Sequence, residues 1–248
     1  MRLKWLALLA LLAPTAALAQ ITVTVDAPGV QSTSDPNAIT EGFEGFYEEG
    51  YSRLDTAVGV MTALPGQQFK IVGADEFGAA GGHGNFFAVG AESGYYSATL
   101  TLPGEEEYMG LWLSALDPYN EISLYNNSTL VASYDYTDFL SLVSGNPAYF
   151  GNPNADFIGQ DPNEAFFYVN FYGNSGTQFN SVVFNNPSLS TGLEIDNISI
   201  DANVPGGPPI PVSLPVPLPS AAYGALVLMI AVLLAGMARR FSSLKTEN

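Results

Sequence analysis

An uncharged, apolar run of eighteen residues, Ala221 to Ala238, fences off the part of this chain that is free to fold in water. At ~1.5 Å per helical residue it spans about 27 Å, close to the roughly 30 Å hydrocarbon core of a bilayer. A buried core helix would be shorter or show a polar face. Tyr223 stands at one edge, where an amphipathic ring suits the interface. Arg239, Arg240 and Lys245 follow the other edge, as the positive-inside bias expects of a cytoplasmic end. The expectation is a transmembrane helix over 221–238, stopped by Arg239 and Arg240, with a basic cytoplasmic tail over 239–248. Immediately upstream, Val204 to Pro219 holds seven prolines and two glycines. Proline fixes φ and lacks an amide donor, so residues 204–220 form an extended linker. Its composition suits a plain stalk and equally a strip read by a membrane enzyme.

The other end reads as a secretory signal over 1–19. Arg2 and Lys4 are the positive start, Trp5 to Ala13 the apolar middle, and Ala17-Leu18-Ala19 a small-residue cleavage site, so the mature chain starts near Gln20. The chain has no cysteine, which excludes disulfides and a lipid-modified cysteine. An exported domain of this kind is held by burial and by ions. Of the basic residues only Arg53 and Lys70 lie between Gln20 and Pro219, together with all the acidic residues except Glu247, so that part carries a net charge of −21. Such a surface repels nucleic acid and anionic membranes. It welcomes cations, although solubility in a crowded surface layer explains it as well.

Residues 20–203 suit one ectodomain with a substantial core. Long helical periodicity is missing, and short runs of alternating or apolar residues are separated by Gly, Asn, Asp, Ser and Pro. Ile21–Val25 opens the set. Gln68–Val72, Asn85–Val89, Ser97–Leu102 and Tyr108–Ala115 follow, the last two parted by an acidic turn, Pro103 to Glu107. Glu121–Tyr125 and Thr129–Tyr134 form a hairpin around Asn126-Asn127-Ser128. Ala165–Tyr172, Phe179–Phe184 and Leu193–Ile200 complete about ten strands. The fold class is all-β, a two-sheet sandwich of jelly-roll type, with the C-terminal transmembrane helix added.

Val216-Pro217-Leu218-Pro219, then small residues, an apolar helix and Arg239-Arg240, resembles the PEP-CTERM sorting signals, most closely their Val-Pro-Leu-Pro-Ala variant. The chain departs from the commonest form at Leu218, where Glu usually stands, and from the variant at Ser220. The resemblance implies processing by an exosortase near the motif Val216, Pro217, Leu218, Pro219. It further implies an inner-membrane precursor, and delivery to the surface or matrix of a Gram-negative-type bacterium, often in company with extracellular polysaccharide. A sortase signal would need Thr-Gly after its Leu-Pro-x, and a lipid-anchor signal would end in its apolar tail. Gly81-Gly82-His83-Gly84-Asn85, Met109 to Ala115, Tyr149 to Asn154, Tyr168 to Phe171 and Gly192 to Asn197 are similar to a family of exosortase-dependent surface proteins, with which no activity travels. The closing strand also resembles the Ile-Asp-Asp/Asn-Val ending of jelly-roll carbohydrate-binding modules. There an early acid and the acid of the last strand share a structural calcium, which implies Glu44 and Asp196 here. Alternatively, Asp196 caps its strand or bonds to backbone.

The residues offer little catalysis. His83 is the single histidine and lies in a glycine-rich turn, with no nucleophile-elbow motif anywhere. The same scarcity excludes zinc sites built from His and Cys. The glycines match no phosphate loop. A glycosidase would need two carboxylates in a cleft, one with a raised pKa; no motif selects a pair. Exposed aromatics could stack on sugars, and Trp112, Tyr119, Tyr149 and Phe150 are the candidates. The expectation is a non-catalytic surface or matrix protein without a cofactor other than calcium. The alternative is a carbohydrate-binding module with a structural calcium ion.

Overall fold

The computed structural model describes residues 20–174 and 176–205. The signal peptide, the sorting motif, the predicted span, and Arg239 and Arg240 lie outside them. Fourteen strands occur among the described residues, in two antiparallel sheets. In chain order they are β1 (Gln20–Val25), β2 (Ile39–Glu41), β3 (Gly50–Tyr51), β4 (Arg53–Thr56), β5 (Gly59–Ala63), β6 (Phe69–Gly73) and β7 (Asn85–Gly90). There follow β8 (Ser97–Glu106), β9 (Tyr108–Ser114), β10 (Glu121–Asn126), β11 (Thr129–Asp135), a helix α1 (Tyr136–Val143), β12 (Phe167–Asn174), β13 (Phe179–Asn185) and β14 (Gly192–Asp201). One sheet runs β1-β12-β9-β14-β7-β6-β3 with β2 paired to β14, and the other runs β11-β10-β13-β8-β5-β4.

The period of two sends alternate side chains to opposite faces. Val169, Phe171, Met109, Leu111, Leu113, Leu193, Ile195, Phe87 and Val89 fill the space between the sheets, meeting Leu100, Ile122, Leu124, Val182 and Phe184. Phe87 joins the two layers, with its ring centroid 5.5 Å from that of Phe69 and 5.4 Å from that of Phe184. In β14 the register slips between Asp196 and Ser199, so both Ile195 and Ile198 reach this core although they are three apart. The extra residue is a β-bulge with Asn197 at φ 47°.

The acidic stretch expected as a turn between strands is instead part of β8. The pairing shifts from Phe179↔Glu106 to Ser181↔Thr101, so the excess residues around Pro103 bulge out of one long strand. Proline has no amide to give to a ladder, and a bulge accommodates it. The chain changes sheets one residue later, at Glu107.

β2 to β5 and α1 were not legible as elements. β2 to β5 are two to five residues long. The helix has barely two turns. The Asp135 carboxylate caps it by accepting from the amides of Thr137 and Asp138, while Asp138 accepts from the Asp135 amide. Phe139 and Val143, four apart, are its buried residues.

The outer face of the eight-stranded sheet is not open to water. Every residue of β9 is buried, and so are all but the last of β12. Segments 26–37, 74–84 and 145–165 lie over them and are tied together by amides. Gln31 Nε2 donates to Asn154 Oδ1, Asn154 Nδ2 to the Ala79 carbonyl, Asn152 Nδ2 to the Glu76 carbonyl and Asn197 Nδ2 to the Gln31 carbonyl. The Gly81 amide donates to Gln31 Oε1. Long loops can be buried only if their backbone groups find partners, and asparagine supplies donor and acceptor together.

Candidate functional site

A polar cavity of about 330 Å³ opens where the first of these loops crosses β12. β12 alternates, so Phe167, Val169 and Phe171 go to the core, while Tyr168, Asn170 and Tyr172 look the other way. Asn170, Tyr108 and Tyr172 line the cavity floor, and Asp26, Thr33 and Asp35 line its walls. The Tyr108 hydroxyl lies 2.8 Å from both Thr33 Oγ1 and Asn170 Oδ1. Asn170 Nδ2 donates to Asp26 Oδ2 at 3.2 Å. Burial raises the pKa of Asp26, with the Asn170 amide working against it. Asp35 Oδ1 accepts from the Asn37 amide, while its Oδ2 is buried without a hydrogen-bond partner. Tyr108 and Tyr172 pack on each other at 5.3 Å. The cavity thus presents carboxylate acceptors, an amide and hydroxyls close together, a set that matches the hydroxyls of a sugar.

None of these residues was selected from the sequence. Asn170 lay within a quoted motif, but only the tertiary structure shows that the loop starting at Asp26, 144 residues earlier, meets it. Of the aromatic candidates, Trp112 is wholly buried and Tyr149 is 9% exposed, with its hydroxyl bonded to the Asp26 carbonyl. Phe150 packs half-buried against the core. These three are packing residues: Trp112 belongs to the covered face of β9, and the segment of Tyr149 and Phe150 folds back over the sheet. Tyr119 is 61% exposed and remains available.

Asp196 is 1% exposed. Its Oδ2 accepts from the Ala80 amide at 2.7 Å and its Oδ1 from the Asn197 amide at 2.6 Å. Burial is the main cause that lifts its pKa to about 7; the two amides oppose it, and the charges of Glu44 and Glu41 add to it. Glu44 is exposed and folds against Gly84, where its carboxylate takes the place a Cβ would occupy. Asp196 is thus bonded to backbone, as one of its two sequence readings has it, and the negative charge of Glu44 bears on it. Among the described residues no group of three or more acidic, His or Cys side chains is arranged to hold a metal ion. His83 is exposed, with Nδ1 3.0 Å from the Gly81 carbonyl, a contact within its own turn.

Asp26 and Asp35 meet in outline the two-carboxylate condition for glycoside chemistry, both lining one cavity. Asp26 is committed to Asn170, however, and no third acid lines the cavity. Among the described residues no helix is long and apolar enough to cross a membrane.

No family model matches this chain, and no curated protein does. Among solved structures it is similar to the K2 cleaved adhesin domain of Lys-gingipain, with a TM-score of 0.42 and 14% identity, over 66% of this chain and 98% of that one.

Proposed function

We propose that this chain is a non-catalytic, exported surface or matrix protein whose β-sandwich, of jelly-roll type, associates with extracellular polysaccharide. The observation that carries the reading is the cavity over β12. Its volume falls at the lower end of the ~300–1,000 Å³ typical of small-molecule sites. Asp26, Asn170, Thr33 and Asp35 offer the mixed donors and acceptors that sugar hydroxyls require. An apolar ligand would leave the buried Asp35 Oδ2 unpaired at a cost of ~1–3 kcal/mol, so the site selects against it. The charge of −21 between Gln20 and Pro219 keeps nucleic acid away.

Delivery rests on the tail. The order of Val216-Pro217-Leu218-Pro219, apolar run and Arg239-Arg240 supports processing by an exosortase from an inner-membrane precursor. Intact mass of the native protein, from cells and from medium, tests it. A chain running from about Gln20 to about Pro219 is expected, and one still ending at Asn248 sinks the processing step.

Binding is tested on a glycan array followed by titration calorimetry with the best oligosaccharide. The expected result is saturable binding that Asn170→Ala weakens at least ~10-fold, since losing hydrogen bonds to a sugar costs about 1.5 kcal/mol or more. Equal binding by wild type and variant would remove the cavity from the account. Release of shortened sugars would replace a binding module by an enzyme. A second reading keeps a structural calcium between Glu44 and Asp196, since the negative charge of Glu44 adds to the raised pKa of the buried Asp196 and a cation would relieve that repulsion.

A further inference from the structure

We propose that the end of the eight-stranded sheet where β14 begins holds a divalent cation of calcium type, gripped by the carboxylates of Glu194 and Asp117. The site is separate from the Glu44–Asp196 pair and does not depend on the glycan reading.

Strand alternation sends Leu193 and Ile195 into the core and Glu194 to the loop-covered face, where it is only 4% exposed. Its side chain folds back along the strand, and Oε1 lies over Gly192 where a Cβ would otherwise stand. The Gly192 amide, in turn, donates to Asp117 Oδ2 at 3.2 Å. Two carboxylates therefore close on one glycine, which is there because nothing larger fits. A third acid reaches the same end from another loop. The Leu116 amide donates to the Ala165 carbonyl at 3.0 Å, which ties the segment of Asp117 to that of Glu164.

The oxygens are unspent. Glu194 Oε2, Glu164 Oε2 and Asp161 Oδ2 are all buried without a hydrogen-bond partner. No cation among the described residues answers them. Among the described residues the one ion pair is Arg53–Asp55, whose strand belongs to the other sheet. Lys70 lies two strands from Glu194 in the same cross-strand row, through Ala88, and makes no ion pair there. The charged groups that act on Glu194 are all acids: Asp117, Glu92, Asp75 and Glu164. Burial first, and then these charges with Asp117 foremost, hold its pKa well above the carboxylate range; burial and Asp117 also lift Glu164 to about 7.

A buried ionised carboxylate does not persist alone; it takes a proton or a counter-ion. Oxygen donors without nitrogen or sulfur suit calcium, which extracellular modules bind at ~10⁻⁴–10⁻³ M. No three acidic side chains among the described residues form one ligand set, so the pair is the grip and carbonyls and water complete the shell.

The test is calcium titration with calorimetric unfolding of the full chain, in chelator and in millimolar calcium, for wild type, Asp196→Asn, Glu194→Gln, the double variant and Asp117→Asn. Asp196→Asn disables the other pair and is expected to keep a calcium-dependent rise in Tm. Adding Glu194→Gln is expected to abolish that rise, and Asp117→Asn to weaken calcium binding ~10-fold or more, as loss of a group that supports a metal does. Glu194→Gln, in chelator at neutral pH, should melt no lower than wild type, because glutamine is nearly isosteric with the protonated acid that burial favours there. The proposal is overturned if Asp196→Asn alone removes the whole calcium effect, or if Glu194→Gln leaves it intact. Should Glu194→Gln unfold, Asp117→Asn decides: unchanged affinity there overturns it equally.

Discussion

Glycine at position 59 shows how much a single missing Cβ decides. Its φ is +132°, and a Cβ there would strike the Thr101 carbonyl on the neighbouring strand. Gly29 also has a positive φ, +82°, but nothing lies within 4 Å of its would-be Cβ. Gly59→Ala should therefore cost more than the ~1–2 kcal/mol of left-handed strain alone, and Gly29→Ala about that strain only. Urea unfolding of both variants measures the difference, and equal losses would show that strain, not the β5–β8 approach, governs Gly59. Asn197 was legible as a motif residue. Its part in the fold was not: it takes φ 47° at a bulge and sends its amide to the Gln31 carbonyl.

At the scale of elements, ten of the strands were readable because alternation or long apolar runs gave each a period. Short β2 to β5 carry too few residues for a period to show. The helix α1 hides for the same reason, although Asp135 and Asp138 stand three apart, as a reciprocal cap requires. Asp135→Ala should cost ~1 kcal/mol, seen as a lower urea midpoint with an unchanged slope. The Thr137 hydroxyl is the leading cause holding the Asp135 pKa down, with burial opposing it and the amides of Asp138 and Thr137 adding to it. Its contribution is thus present above the unfolded pKa of about 4 and fades as pH falls below it. No change in midpoint on removing the carboxylate would mean that packing of Phe139 alone holds the helix.

For the molecule as a whole, pH reads the acid-rich face. Asp196 and Glu164 have pKa values raised to about 7, and that of Glu194 is held well above the usual carboxylate range. A carboxyl whose folded pKa exceeds its unfolded value keeps its proton longer in the folded state. Its contribution to stability is full below the unfolded value of about 4 and is lost as pH climbs through the folded pKa. In chelator, Tm should thus fall between pH 5 and pH 7.5, and calcium should restore much of it at the upper end. A flat profile in chelator would mean that these acids are better solvated than their burial implies. The Asp135 cap runs the opposite way but at lower pH, so the two trends separate.

The amino-acid sequence alone determined that residues 20–203 form short strands in a cysteine-free, strongly acidic domain. Composition and period are local, and a strand's two faces are written in its own residues. It also indicated Asp196 as a candidate, since a closing motif is contiguous. What it left open is which surface those faces meet. The outer residues of β9 and β12 look like any buried strand until loops from three distant segments fold over them. Asp26 and Asn170, or Asp117 and Glu194, become neighbours only through strand order, because two residues 144 or 77 apart share no local signal. Charge burial is decided last of all: the same carboxylate is a solvated acid or an unpartnered buried oxygen according to which loop happens to cover it.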